Sequence, residues 1–223
     1  MTNPEKQAPI MRLFELEPIP STRKTFQKVG KDNLLQAINK EEGTLVMVTC
    51  YHENSNQQVV FEIYQDESAY RQHIQTDHFQ TFLDYAADGL KSPKVVILQA
   101  ELLCEKAEKK IFENASTLHI RLTKISLAPE NAAIFKDILN QEMPTSIAKE
   151  SGVLALFCGR NLEDLSQWYF FEVYQNHEVY QKHIESEHFK KYLRDSAEII
   201  LAKELEILDG DILVSQGKAQ YLS

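Results

Sequence analysis

The chain has 223 residues, an apolar fraction of 43% and a formal net charge of −9, the composition of a soluble globular protein and not of a disordered or fibrous one. Acidic residues outnumber basic ones and no cluster of Lys and Arg occurs, which excludes a nucleic-acid-binding surface. Because no apolar run approaches the roughly 20 residues that span a membrane, and the first residues lack an apolar signal core, we expect a cytoplasmic protein.

The first half of the chain is predicted to contain elements in the order strand, helix, strand, strand, helix, strand. Ser21 can cap the first helix, whose apolar residues recur at helical spacing, and Gly43 ends it. The strands are short apolar runs bounded by turn residues, and a break in the second helix is possible near Thr76. These elements are expected at residues 11–16, 21–40, 44–50, 58–64, 66–87 and 95–104.

The second half repeats the first at a distance of 110 residues. Of the 23 positions from 61 to 83, ten are identical in the segment 171–193, and four of the seven histidines belong to the matched set. A repeat of this length predicts two homologous units. The second set of elements is expected at residues 119–122, 129–152, 153–158, 167–174, 176–201 and 204–214.

Each half has the β-α-β-β-α-β order of a ferredoxin-like α+β unit. Strands such as 44–50 and 168–174 are apolar at nearly every position, which indicates cover on both faces. Helices can cover one face, so we predict that the two sheets cover each other and form a pseudo-dimer within one chain. The predicted organisation is a flexible N-terminus at 1–9, a first repeat at 10–104, a linker at 105–114, a second repeat at 115–215 and a tail at 216–223.

Two helical histidines are the candidate catalytic residues. Each follows a tyrosine by three positions, which places both rings on one helical face, and each precedes an acid by four, which could orient the imidazole. The matching residues are Tyr70, His73 and Asp77 in the first repeat and Tyr180, His183 and Glu187 in the second. An imidazole that titrates near neutral pH can remove a phenolic or enolic proton from a substrate held by the tyrosine. The alternative is a histidine that binds a strand carbonyl and only fixes its helix.

Two glutamates in the third strands are candidate substrate-binding residues. Glu62 and Glu172 lie between apolar neighbours, so each carboxylate must be hydrogen-bonded or paired. They could accept a proton or orient the histidine. The favoured interpretation is structural, with the carboxylates accepting hydrogen bonds from backbone amides or from Arg12 and Arg121 on the first strands.

Aromatic residues on the same strand face complete the predicted binding sites. Tyr64 and Tyr174 follow the glutamates by two positions and so point to the same side of the strand; their hydroxyls could hold a substrate oxygen, or the rings could simply pack. Trp168, the only tryptophan, either fills the core between the sheets or lines a pocket of the second repeat. No metal site is expected, because His73 and His78, five positions apart, do not form a metal-binding pair on one regular helix.

The motifs shared by the two halves resemble the antibiotic biosynthesis monooxygenase (ABM) domain. The signature combines Glu-x-Tyr on a strand with a helical His and a His-Phe pair five residues on. It is found at Glu62, Tyr64, His73, His78 and Phe79 and at Glu172, Tyr174, His183, His188 and Phe189. The resemblance implies a dimeric α+β barrel, formed here within one chain. That superfamily includes cofactor-independent quinol or polyketide oxygenases, haem-degrading enzymes and an enzyme acting on phosphorylated autoinducer-2.

The resemblance implies an enzyme that acts on a small molecule. The expected function is cofactor-independent monooxygenation of a small phenolic, quinol or enolisable substrate by O2, with His73 or His183 as the base and without cofactor or metal. The alternatives are an isomerase or degradative enzyme for a small carbonyl metabolite, and a non-catalytic ligand- or haem-binding module. Arg12 and Arg121 disfavour haem degradation, because that branch has Asn on the first strand. A further homodimer of the whole chain stays open.

Overall fold

The structure, a computed structural model, describes residues 8–223; residues 1–7 of the predicted flexible N-terminus lie outside the described residues. The first repeat contains β1 (Ile10–Pro18), α1 (Arg23–Lys40), β2 (Thr44–His52), β3 (Gln58–Tyr64), α2 (Glu67–His73), α3 (Asp77–Gly89) and β4 (Leu90–Glu105). After β5 (Lys110–Phe112), the second repeat contains β6 (His119–Leu127), α4 (Ala132–Lys149), β7 (Val153–Asn161), β8 (Gln167–Tyr174), α5 (His177–Glu185), α6 (Glu187–Ser196) and β9 (Ile200–Ser215). The last strand is β10 (Tyr221–Leu222).

The predicted order of elements is confirmed in both repeats, but several boundaries were wrong. The helix predicted at 176–201 is interrupted at Ser186, and α6 ends at Ser196. β9 starts at Ile200, because its first residues pair with β6, and β4 starts at Leu90, where it pairs with Pro18 of β1. Pairing with a neighbouring strand overrides the local periodicity in both places.

Hydroxyl side chains break the second helix of each repeat. The hydroxyl of Thr76 accepts a hydrogen bond from the N–H of Phe79 at the start of α3, and Ser186 does the same for Phe189 in α6. Such a cap satisfies a free N–H group of the new helix and fixes its start. The two short helices therefore meet at an angle that a single helix would not allow.

The two repeats share one closed β-barrel. Eight strands are hydrogen-bonded in the order β1-β3-β2-β9-β6-β8-β7-β4, and β4 pairs again with β1. The 16-residue strands β4 and β9 make the junctions: β4 pairs first with β1 and then with β7, and β9 pairs first with β6 and then with β2. The predicted α+β barrel within one chain is confirmed, and the sheets are joined at both edges as well as facing each other.

Strand alternation separates the barrel interior from an outer face beneath the helices. Phe61 and Phe171 belong to the interior core, which both repeats fill. The next residues in sequence, Glu62 and Glu172, point to the opposite side, where they line spaces next to the helices. The strands are apolar on both sides because one side faces the barrel interior and the other faces the helices.

The segments after each repeat add short strands to the barrel. β5 pairs with the end of β9, and β10 pairs with β4. The buried carboxylate of Glu105 accepts a hydrogen bond of 2.7 Å from the N–H of Ala219, which holds the last residues against the barrel. None of the helices within residues 8–223 is long and apolar enough to cross a membrane.

Candidate functional site

A glutamate at the end of α1 contacts both histidines of the first repeat. The carboxylate of Glu41 lies 2.9 Å from Nδ1 of His73 and 2.7 Å from Nε2 of His78. A carboxylate can only accept hydrogen bonds, so both of these nitrogens carry a proton. The other nitrogen of His73, Nε2, is buried and has no hydrogen-bond partner among the described residues.

Electrostatics favour an ionised carboxylate at the centre of this cluster. Burial by itself would raise the pKa of Glu41, but the hydrogen bonds from His73 and Thr44 and the nearby histidines lower it below the usual 4.5 on balance. Burial lowers the pKa of His78, which favours its neutral form. The ionised carboxylate therefore keeps a proton on Nδ1 of His73 and on Nε2 of His78.

The second repeat contains the same cluster. The carboxylate of Glu150 lies 2.9 Å from Nδ1 of His183 and 2.7 Å from Nε2 of His188. The expectation that Asp77 and Glu187 orient the catalytic candidates is wrong, because a helix ends between each histidine and that acid. The orienting carboxylates come instead from the end of the preceding helix.

A short motif in the sequence marks these glutamates. Lys-Glu-x-Gly occurs at 40–43 and at 149–152, displaced by 109 rather than 110 residues and therefore outside the matched segment. A Cβ on Gly152 would lie 2.5 Å from Cγ2 of Val179 in α5, and one on Gly43 would collide with Ala69 in α2. The glycines let the histidine-bearing helix pack closely against the turn that carries the glutamate.

The helix break also corrects the expectation about metal ligands. Residues five apart in sequence lie on two helices here, and their ligand atoms converge within 4.8 Å. The groups that could hold a metal ion are Glu41, His73 and His78 in the first repeat and Glu142, His183 and His188 in the second. In the first group, distances of 2.7 and 2.9 Å are those of charge-assisted N–H···O hydrogen bonds, which account for the contacts without an ion.

The strand glutamates are bonded to the tyrosines two residues on. The hydroxyl of Tyr64 donates to Glu62 at 2.8 Å, and that of Tyr174 donates to Glu172 at 2.9 Å. The expected arginine contact is long, with Nε of Arg121 4.0 Å from Glu172. Burial raises the pKa of Glu62 and raises that of Tyr64 well above 10. In the first repeat the acid is buried, whereas Glu172 is half-buried; each has a hydroxyl donor beside it.

The first-strand arginines instead cover the helical tyrosines. The guanidinium carbon of Arg12 lies 3.8 Å from the ring centroid of Tyr70, and that of Arg121 lies 3.9 Å from the ring centroid of Tyr180. These are cation–π contacts, and they fix the start of α2 and α5 over the sheet.

An open cleft of about 940 Å³ lies between the sheet and helices α2 and α3 of the first repeat. Glu62 and Tyr70 line it, whereas the fully buried His73 does not. Its apolar wall includes Phe14, Leu16, Val60, Phe79, Phe82 and Val95. Asp84 is the second carboxylate of the lining, and no Lys or Arg within residues 8–223 lines it.

The corresponding region of the second repeat is filled. A cavity of about 40 Å³ lies there, lined in part by Arg121, Glu142, Glu172, Tyr174 and His183. Phe170 stands where the first repeat has Val60, and Trp168 stands where it has Gln58. Trp168 is buried and packs edge-on against Phe135 with ring centroids 5.1 Å apart. It therefore belongs to the core between helix and sheet and not to the core between the sheets.

Glu142 is a site residue that the sequence analysis missed. It lies on the buried face of α4 and accepts a hydrogen bond of 2.5 Å from Ser146, and its carboxylate lies 3.8 Å from Nε2 of His183. Burial raises its pKa to about 7. In the sequence, Glu142 can be recognised as an acidic residue at a position that helical spacing assigns to the buried, otherwise apolar face of the helix. The first repeat has Asn33 at the equivalent position.

Comparisons with known proteins agree with the duplication. The family model described as "Antibiotic biosynthesis monooxygenase" matches residues 9–85 and 119–195. A "putative monooxygenase" from Lactobacillus acidophilus NCFM is 26% identical, with a TM-score of 0.89 over 97% of this chain and 100% of that one. A second "putative monooxygenase", from Fusobacterium nucleatum, is 21% identical with a TM-score of 0.84 over 97% and 99% of the two chains; at that identity it shows the fold alone. No curated protein matches the sequence.

Proposed function

Because the chain belongs to the antibiotic biosynthesis monooxygenase family, whose model matches both repeats, we propose that it is a monooxygenase for a small phenolic, quinol or enolisable substrate. The substrate binds in the cleft of the first repeat, whose volume of about 940 Å³ suits a small organic ligand. The observation that carries this proposal is Glu62, a buried carboxylate in the lining of a mostly apolar cleft.

Glu62 is the proposed acceptor of the phenolic or enolic proton. Burial raises its pKa, which makes the carboxylate a stronger base. The resulting phenolate passes one electron to O2, the radical pair combines at a ring carbon, and the peroxide formed there loses water. With anthrone as the substrate, the CH2 carbon gains one oxygen atom of O2, and its two hydrogens leave as water with the other. That balance requires no external reductant.

His73 is proposed as a positioning residue. Its imidazole is fully buried and outside the cleft lining, so in this proposal it acts through other residues and is not the base. Held by Glu41, it fixes α2 and thereby Tyr70. His183 has the same role in the second repeat, where the cavity of about 40 Å³ has no room for an aromatic substrate.

The alternative of a phosphorylated carbonyl metabolite is less well supported. A phosphate group is usually held by Arg or Lys side chains or by a helix N-terminus. Within the described residues no Arg or Lys lines the cleft, and its two charged residues, Glu62 and Asp84, are acids. An uncharged aromatic substrate therefore fits the cleft better.

The duplication supplies a matched experiment. We expect Glu62→Gln, which keeps an acceptor for Tyr64, to lower the rate of O2 consumption with anthrone about 100-fold, the lower range for loss of a general base. Glu172→Gln makes the same change in the filled repeat and should alter the rate less than twofold. Equal losses in the two variants, or no loss in either, would reject the proposal.

A further inference from the structure

An exposed apolar strip continues from the cleft along the outer face of β4. Val95 lines the cleft, Ile97 is the next residue on that face of the strand, and Leu162 lies beside Ile97 just after β7. The N–H of Leu162 donates to the carbonyl of Ile97 at 3.0 Å, which continues the pairing of Leu98 with Asn161 and puts both side chains on one face. The exposed fractions of these three residues, the β4 strip, are 46%, 40% and 53%.

The second repeat has a similar apolar surface, which borders an open groove of about 240 Å³ lined by Leu122, Lys124, Glu204, Leu205 and Glu206. Leu205 and Ile207 of β9 are 45% and 46% exposed and correspond to Val95 and Ile97. In the neighbouring strand β2, His52 pairs with Leu208 of β9. The next residue, the acidic Glu53, therefore lies beside Ile207. The apolar surface therefore stops there at a charge, next to a repeat whose cavity is about 40 Å³.

We propose that the β4 strip binds an apolar side chain of the substrate, so that the ligand is a phenol or quinol carrying an alkyl or isoprenoid chain. This inference rests on the proposed function, which puts the ring in the cleft beside Glu62. A volume of about 940 Å³ is near the upper end of the roughly 300–1,000 Å³ of small-molecule sites and exceeds what one phenolic ring fills. The strip consists of three aliphatic side chains, so the part of the ligand that it binds is apolar.

The size of the strip favours a ligand chain over a protein partner. Its exposed surface comes from three side chains, whereas a stable protein interface takes roughly 800 Å² and about 20–30 residues from each partner. A narrow alkyl chain can cover three side chains of this kind.

The test measures binding of phenol, 4-butylphenol and 4-octylphenol to the full chain by calorimetry without O2. We expect affinity to rise about twofold per methylene, half of the roughly fourfold that full burial of a methylene gives. Ile97→Ser should weaken 4-octylphenol binding about fivefold and leave phenol unchanged. The matched variant Ile207→Ser should change neither.

Equal affinities across the series, or equal losses in both serine variants, would overturn the inference. Analytical ultracentrifugation tests whether a second copy of the protein covers the strip instead. A wild-type dimer that Ile97→Ser converts to a monomer would show that the strip is a contact between two protein chains and would overturn the inference. Because binding is measured without turnover, the two proposals fail separately. If the three phenols bind equally well but O2 consumption still depends on Glu62, only the proposal for the β4 strip is rejected. If affinity rises with chain length but no O2 is consumed, only the proposed monooxygenase activity is rejected.

Discussion

Phe61 and Phe171, which occupy equivalent positions in the two repeats, stack face to face inside the barrel with ring centroids 4.3 Å apart and planes 1° from parallel. Each ring is thus part of the core of the other repeat. Strands β4 and β9 also cross between the repeats. A core and a hydrogen-bond network shared in this way couple the folding of the two halves.

Removing either ring should destabilise the whole protein. We expect Phe61→Ala and Phe171→Ala each to lower the free energy of unfolding by about 3–5 kcal/mol, in one transition that tryptophan fluorescence and circular dichroism report together. Leu201→Ala, at a 70% exposed position, should change it by less than about 0.5 kcal/mol. Two separate urea transitions, only one of which moves, would contradict the shared core.

The glycines beside the glutamates should tolerate no side chain. Gly43→Ala forces α2 away through Ala69 and should cost about 1–3 kcal/mol together with a loss of activity. Gly152→Ala should cost as much stability without affecting turnover. Gly30→Ala is the control, since the nearest atom to its Cβ is 3.9 Å away in Phe82 and alanine should stabilise the helix by about 0.5–1 kcal/mol. Equal activity in all three variants would count against the role of α2.

Exchanging one strand residue between the repeats should close the cleft. Val60→Phe introduces the residue that the second repeat has at Phe170, and we expect binding of anthrone, titrated without O2, to weaken at least about tenfold, with a stability cost of about 1–3 kcal/mol. Phe170→Val makes the reverse change where no cleft exists and should leave binding unchanged. Unaltered binding in Val60→Phe would show that the ligand lies elsewhere.

Glu142 should make the protein less stable as the pH rises. Burial raises its pKa from 4.5 to about 7, so between these values the folded chain keeps a proton that the unfolded chain has lost. The penalty is absent below pH 4.5, grows up to about pH 7 and then stays constant at roughly 3 kcal/mol, from a difference of about 2.5 in pKa at 1.36 kcal/mol each.

Glu142→Gln keeps an acceptor for Ser146 and removes this ionisation. We expect the variant to gain stability over the wild type at about pH 8 and to match it near pH 4.5, as measured by urea denaturation across that range. The same dependence on pH in both proteins would mean that Glu142 is not the buried acid responsible.

Local patterns predicted the fold and part of the site. The alternation of strand residues and the helical spacing of Tyr70 and His73 are properties of short segments. Spacing predicted one helical face for these two rings, and in the structure both lie next to Tyr64, with centroids 5.3 and 5.4 Å from its own. The duplication, visible in ten matched positions, predicted two like units. A four-residue pattern of the same kind, Lys-Glu-x-Gly, repeats after 109 rather than 110 residues and therefore lies outside the matched segment.

Sequence alone determined that two ferredoxin-like halves, each with a Glu-x-Tyr strand and a histidine pair, make up this chain, because local periodicity assigns every residue to a face. Tertiary structure decided that Glu41 orients His73 across a separation of 32 residues, that two sheets close into one barrel, and that only the first repeat keeps an open cleft. Those outcomes depend on how side chains from several elements fill a common volume. Exchanging Val60 for the larger Phe170 is a single substitution in sequence, and in the folded chain it is one of the differences between an open cleft and a packed core.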